Sequence, residues 1–140
     1  MVCDARQNFY MLSLYRNRIG IRIYECFLTA VAAVHAVNMR ASFLFMGDLN
    51  SHHQEWLAST TTNRHGVATL DFATMSGCDQ LVTGPTYAYW VTVDLLMTEV
   101  PDLVRVAVVA PLGNSDHSSL SAAISMAQLF LTCVLAVGCF

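Results

Sequence analysis

Two early stretches with helical periodicity, followed by a run of short apolar segments, read as a layered α/β sandwich with a mixed, mostly antiparallel sheet. The chain can pack such a core. Its 140 residues are 55% hydrophobic and only 12% charged, too apolar for a disordered chain and of a length for one domain. No repeat, charge block or Pro/Gly/Ser linker divides it.

The elements follow in order. Over residues 21–37, Tyr24, Phe27, Leu28, Val31, Val34 and Val37 recur on one helical face, which predicts an amphipathic helix. Residues 42–46 (SFLFM) are too short and too apolar for a surface helix and predict a fully buried strand ending at Gly47. Residues 66–76 place Val67, Leu70, Ala73 and Thr74 at helical spacing, with Gly77 as a natural stop. Beyond it, 81–83 (LVT), 91–98 (VTVDLLMT), 103–109 (LVRVAVV) and 120–127 (LSAAISMA) predict strands, separated by Gly84-Pro85, Pro101-Asp102 and the 111–115 turn.

Charge and cysteine usage narrow the function classes. All seven cations are Arg, and the net charge of −3 gives no global basic surface for a polyanion, so any nucleic-acid contact must be local. The five Cys (Cys3, Cys26, Cys78, Cys133, Cys139) are odd in number and contain no C-x-x-C, against a disulfide framework or a Cys-based zinc site. They read as reduced, mostly buried thiols of an intracellular protein, nuclear or cytoplasmic. Residues 1–7 lack the cationic and apolar regions of a secretory signal. The uncharged stretch 120–140 is long enough by count to span a bilayer, but no Lys or Arg flanks it and Gln128 and Thr132 lower its hydropathy. It reads as a buried strand followed by a loose apolar tail. A non-enzymatic membrane-associated or interaction protein using this segment is the rival reading.

Four segments carry chemistry. Gly47-Asp48-Leu49-Asn50 ends the buried strand, and if the chain stays extended Asp48 and Asn50 face one side. A carboxylate there can take a proton from water or ligate a hard cation, and an amide can donate to a phosphoryl oxygen; the same residues also form ordinary β-turns. Asn114-Ser115-Asp116-His117-Ser118 sits before the last predicted strand, and Asp116 and His117 reach one site only if that loop bends. Asp94, inside an apolar strand, needs a hydrogen-bonding partner, of which a catalytic imidazole is one, unless it faces water on an edge. Tyr15-Arg16 offers a phenol and a phosphate fork. His52-His53 lacks the spacing of a zinc-binding helix and reads as surface or substrate-side.

Taken in order, LYRN (14–17), FLFMGDLNSHHQEW (43–56), GPT (84–86), TVDLLMT (92–98) and GNSDHSSL (113–120) resemble the endonuclease/exonuclease/phosphatase superfamily. The resemblance is greatest to the apurinic-type endonuclease domain of non-LTR retrotransposon polyproteins of the jockey or LINE kind. It implies a four-layer α/β sandwich that uses Mg²⁺ or Mn²⁺ to hydrolyse a phosphodiester in DNA, of which this chain holds a partial, C-terminal half. By the same resemblance Asp48 is the water-positioning acid, Asn50 the phosphate-contacting amide and Asp94 the acid that orients the histidine. His117 is the imidazole that meets the scissile phosphate, Asp116 a metal-associated carboxylate and Tyr15 the active-site tyrosine.

The departures are as informative. The family's first half supplies an early catalytic Asn and the principal metal-binding Glu, and here Asn8 and Glu25 are the right types in the wrong context. Arg18 stands where a proline is usual, and Tyr87 and Tyr89-Trp90-Val91 replace a His and glycines, without which a turn of positive φ is harder to make. Residues 1–128 are therefore expected to form the C-terminal half of the domain, and 129–140 an apolar tail outside the family pattern. Half a sandwich is expected to be inactive alone and to self-associate through its exposed sheet.

Overall fold

The computed structural model describes residues 7–15, 20–125 and 129–134, with side chains at 8–14 and 20–125. The elements run β1 (Gln7–Tyr15), α1 (Arg22–Val37), β2 (Ser42–Asp48), α2 (Arg64–Ser76), β3 (Asp79–Gln80), β4 (Asp94–Thr98), a 3-10 turn (Pro101–Leu103), β5 (Val104–Val109), β6 (Ser119–Ile124) and β7 (Leu129–Val134). One sheet has the order β3-β4-β2-β1-β7, and β5-β6 form a second. β1 runs parallel to β2 and β7, while the β2-β4, β3-β4 and β5-β6 pairings are antiparallel. The fold is α/β with mixed, mostly antiparallel pairing, three of the five ladders over the two sheets being antiparallel.

Alternation along the strands builds the layers. Phe43 and Phe45 of β2, with Leu95 and Met97 of β4, join Tyr24, Phe27 and Val31 of α1 and Phe72 of α2 in one core. Leu44 and Leu96 face the other way, against Val104, with Met46, Val106, Leu120 and Ile124 packed around them. A strand buried on both faces reads as a continuous apolar run, which is why residues 42–46 do. Phe45 meets the Phe72 ring edge-on at 4.9 Å, fixing α2 over the sheet. Asn63 caps α2 by accepting from Gly66 N–H, and Gly77 closes it at φ 65°.

Several expectations need correction. Residues 7–15 carry a strand that patterning does not announce: Phe9 is buried at one parity and Leu12 and Leu14 at the other, so no single face stands out. Residues 81–83 form no strand, because the Gln80 side chain bonds both the N–H and the carbonyl of Val82 and takes them from the ladder. β4 begins only at Asp94, since Thr86 Oγ1 accepts the N–H groups of Val93 and Asp94. Asp94 is not an edge acid facing water; it pairs with β2.

The expected loose tail is, over Leu129–Val134, strand β7 on the outer edge of β1. An apolar, β-prone segment finds there a row of unpaired backbone groups. Residues 126–128 and 135–140 lie outside the described residues. No helix among the described residues is long and apolar enough to cross a membrane. Of the described cysteines, Cys78 is buried, its thiol pushed up to about 11 chiefly by desolvation, whereas Cys26 is exposed rather than buried.

Candidate active site

The end of β2 and the start of β4 bring Asp48 and Asp94 into direct register. Gly47 makes this possible. It sits at φ 148° with its α-carbon against β1, where a Cβ would lie 1.7 Å from the Leu14 carbonyl oxygen. The chain does not stay extended beyond Asp48: Asn50 turns to φ 46°, and the Asp48 carboxylate accepts the Asn50 N–H at 3.1 Å. The turn and the site are therefore one structure, and both side chains line the same pocket by a route other than strand alternation.

The loop before β6 bends, as two adjacent site residues require. Ser115 Oγ accepts the His117 N–H at 3.1 Å, and the hairpin from Thr86 holds the loop through Ala88 N–H to Asp116 O and Ser118 N–H to Thr86 O. His117 Nδ1 then lies 2.9 Å from Asp94 Oδ2, the two side chains being 32% and 18% exposed. That hydrogen bond raises the His117 pKa; desolvation opposes it, and the charges of Asp94, Asp48 and Asp116 add to it. Asp48, Asn50, His52, Tyr87, Tyr89, Asp116 and His117 line a pocket of about 400 Å³, walled on one side by Val91 and Val93.

A family model described as endonuclease-reverse transcriptase matches residues 9–121. The chain belongs to that family. No curated protein matches it significantly. Among solved structures it is similar to the endonuclease domain of TRAS1, a telomere-specific non-LTR retrotransposon, at 22% identity and a TM-score of 0.60 over 79% of this chain. The chain spans 52% of the length of that structure, and the likeness shows the fold.

Set against the endonuclease-reverse transcriptase pattern, Asp48, Asn50, Asp94, Asp116 and His117 are gathered at one end of the sheet. Tyr15 ends β1 beside Asp48 in the parallel register; its side chain, like residues 16–19, lies outside the described residues. Glu25 is exposed on α1 and Asn8 is in β1. The donor atoms that lie within 4.8 Å of one another belong to Asp48, Asp94 and His117. Asp116 is not in that group; its carboxylate meets the Tyr87 hydroxyl, whose pKa is raised by desolvation first, then by the Asp116 charge and this hydrogen bond.

Carboxylates from two adjacent strands suit a hard divalent cation, since Mg²⁺ is commonly held by one or two carboxylates together with substrate phosphate oxygens. The residues present fit such an ion.

Tyr87 was not singled out for the site, and its ring packs 4.8 Å from the His117 ring. Its substitution for the family's usual His is the signal that marked the position. The turn that lacks glycine does form, with Trp90 at φ 61° and 85% exposed, a conformation uncommon for a bulky residue. His52 lines the pocket, its Nε2 3.2 Å from Asn50 Oδ1, whereas His53 accepts the Trp56 N–H and shapes the following turn.

Proposed function

We propose that this chain carries the C-terminal half of the site of a metal-dependent DNA endonuclease of a jockey- or LINE-like non-LTR retrotransposon, acting inside the cell. The observation that carries the reading is the Asp94–His117 hydrogen bond, made beside Asp48 and inside a pocket large enough for a nucleotide phosphate. Asp94 holds the imidazole through Nδ1, leaving Nε2 as the atom presented to a phosphoryl oxygen. The raised pKa favours the imidazolium, which donates from Nε2 to the charge developing there. Asp48 accepts a proton from the attacking water as the water oxygen bonds phosphorus, and the P–O ester bond that breaks leaves its electron pair on the sugar oxygen, which takes a proton from solvent. Asn50 contacts a second phosphoryl oxygen.

Mg²⁺ or Mn²⁺ at Asp48 and Asp94, with Asp116 nearby, would supply a Lewis acid and a template for the phosphate. Asn8, in β1, and Glu25, exposed on α1, do not line the pocket and so do not stand for the early Asn and the metal-binding Glu that the resemblance requires; the chain alone is therefore expected to be inactive. A supercoiled-plasmid nicking assay with Mg²⁺ tests this: the purified chain should nick no faster than its His117→Ala variant. Robust nicking abolished by His117→Ala would overturn the inactivity and support the site. Nicking with His117→Ala at full rate would overturn the site.

A further inference from the structure

Asn50 occupies a left-handed conformation at φ 46°. Asparagine enters that region more readily than other non-glycine residues, and here its neighbours hold it there. On one side the Asp48 carboxylate accepts its N–H, and on the other Asn63, the N-cap of α2, reaches its carbonyl. Asn63 Oδ1 accepts the Gly66 N–H at 2.7 Å and the His52 N–H at 3.3 Å, so two donors fix the orientation of its amide. Its Nδ2 consequently faces the Asn50 carbonyl oxygen, at 3.2 Å. The Asn63 N–H also donates to the His52 carbonyl at 3.0 Å.

The contact continues along one face of the helix, at Asn63, Gly66 and Thr69. A Cβ on Gly66 would lie 1.9 Å from the His52 carbonyl oxygen, so the helix backbone presses directly on the loop. Thr69 Oγ1 is 2.7 Å from Ser51 Oγ, and both residues are 0% exposed. Tyr24 of α1 extends the chain, its hydroxyl 2.5 Å from Thr69 Oγ1. The loop after β2 is thus seated on α2 by polar contacts.

We propose that Asn63 is a positioning residue for Asn50: its Nδ2–H bond to the Asn50 carbonyl holds the left-handed turn that sets the Asn50 amide in the catalytic pocket. The proposal rests on the reading of Asn50 as the phosphate-contacting amide. Asn63 has two duties with different chemistry. Capping α2 needs only an oxygen acceptor, which aspartate supplies as well as asparagine and with a charge that suits a helix N-terminus. Holding the turn needs an N–H donor, which aspartate lacks, and its second carboxylate oxygen would oppose the Asn50 carbonyl.

Asn63→Asp therefore separates the two. In thermal melts N63D should hold or exceed the wild-type Tm, whereas N63A should lose stability with its cap. In ¹⁵N NMR the Asn50 side-chain amide signals of N63D should move from their wild-type positions. Affinity for a short fluorescein-labelled DNA duplex in Mg²⁺ should fall about tenfold, the scale of one lost hydrogen bond. Wild-type Asn50 signals in N63D, or a Tm loss in N63D equal to that in N63A, would overturn the proposal. Should the wild-type chain bind no DNA, the phosphodiester reading fails, and the Asn50 signals with the melts decide the positioning role alone.

Discussion

Asp48 and Asp94 stand directly opposite each other across the antiparallel β2-β4 ladder, two carboxylates in register at the pocket end of the sheet. Like charges so placed destabilise a strand pair. A neighbouring imidazolium offsets this in part, and His117 is hydrogen-bonded to Asp94. The pair thus trades local stability for a concentration of negative charge where a cation or a water proton can be received.

A divalent cation should consequently stabilise the fold. Mn²⁺ binding to the native state alone adds about 2.7 kcal/mol at a hundredfold excess over its Kd. Thermal melts with and without Mn²⁺ should show a rise in Tm for the wild type and none for Asp48→Asn. The metal-free Asp48→Asn variant should itself melt above the metal-free wild type, because the opposed charges are gone. Equal responses in the two proteins would remove Asp48 from the cation site.

The His117 titration gives a second test, in metal-free protein. Its hydrogen bond to Asp94 raises the pKa above the ordinary histidine value, so the protonated ring is favoured in the folded state. The sign of the linkage follows: the stabilisation is fully present below the unfolded pKa, near 6.5, and is lost as pH rises through the higher folded value. NMR titration should place His117 above an unperturbed histidine, and Asp94→Asn should lower it and flatten the stability profile across that window. A His117 midpoint unmoved by Asp94→Asn would contradict the hydrogen bond.

Gly66 provides a test in which two effects have opposite signs. In an exposed helix Gly→Ala adds stability, by up to about 1 kcal/mol. At Gly66 the new Cβ would meet the His52 carbonyl oxygen at 1.9 Å, and backbone cannot swing aside as a flexible side chain can. Gly66→Ala should therefore destabilise, by about 1–3 kcal/mol or more on the overpacking scale. Denaturant unfolding measures this directly, and a gain in stability would show that α2 does not press on the loop after β2.

The legibility of the sequence followed the range of the interactions. Residues 21–37 and 66–76 form helices whose periodicity and Gly77 stop are local, and they fall close to their expected bounds. That Asp48, Asn50, Asp94, Asp116 and His117 come together at one end of the sheet was legible in their motifs. The contacts of Tyr87 and Asn63 were not, although Tyr87 stood out as a departure from the motif: one packs its ring on His117, the other bonds a residue thirteen positions away. Such contacts depend on where α2 and the 86–91 hairpin settle. Residues 81–83 misled for a related reason, since a side chain, Gln80, replaced the ladder partner.

The last prediction concerns β7. Were residues 129–140 a loose apolar tail, their removal would raise solubility and leave the fold unchanged. The structure instead pairs Leu129–Val134 in parallel with Gln7–Leu12 of β1. Removal would leave β1 as an exposed edge with a row of unpaired backbone N–H and carbonyl groups beside buried Phe9 and Leu12. An open edge of that kind templates pairing with another chain. Deletion of 129–140 should therefore lower Tm and increase self-association, read by light scattering during the melt. Higher solubility at unchanged Tm would show that β7 contributes nothing to the sheet.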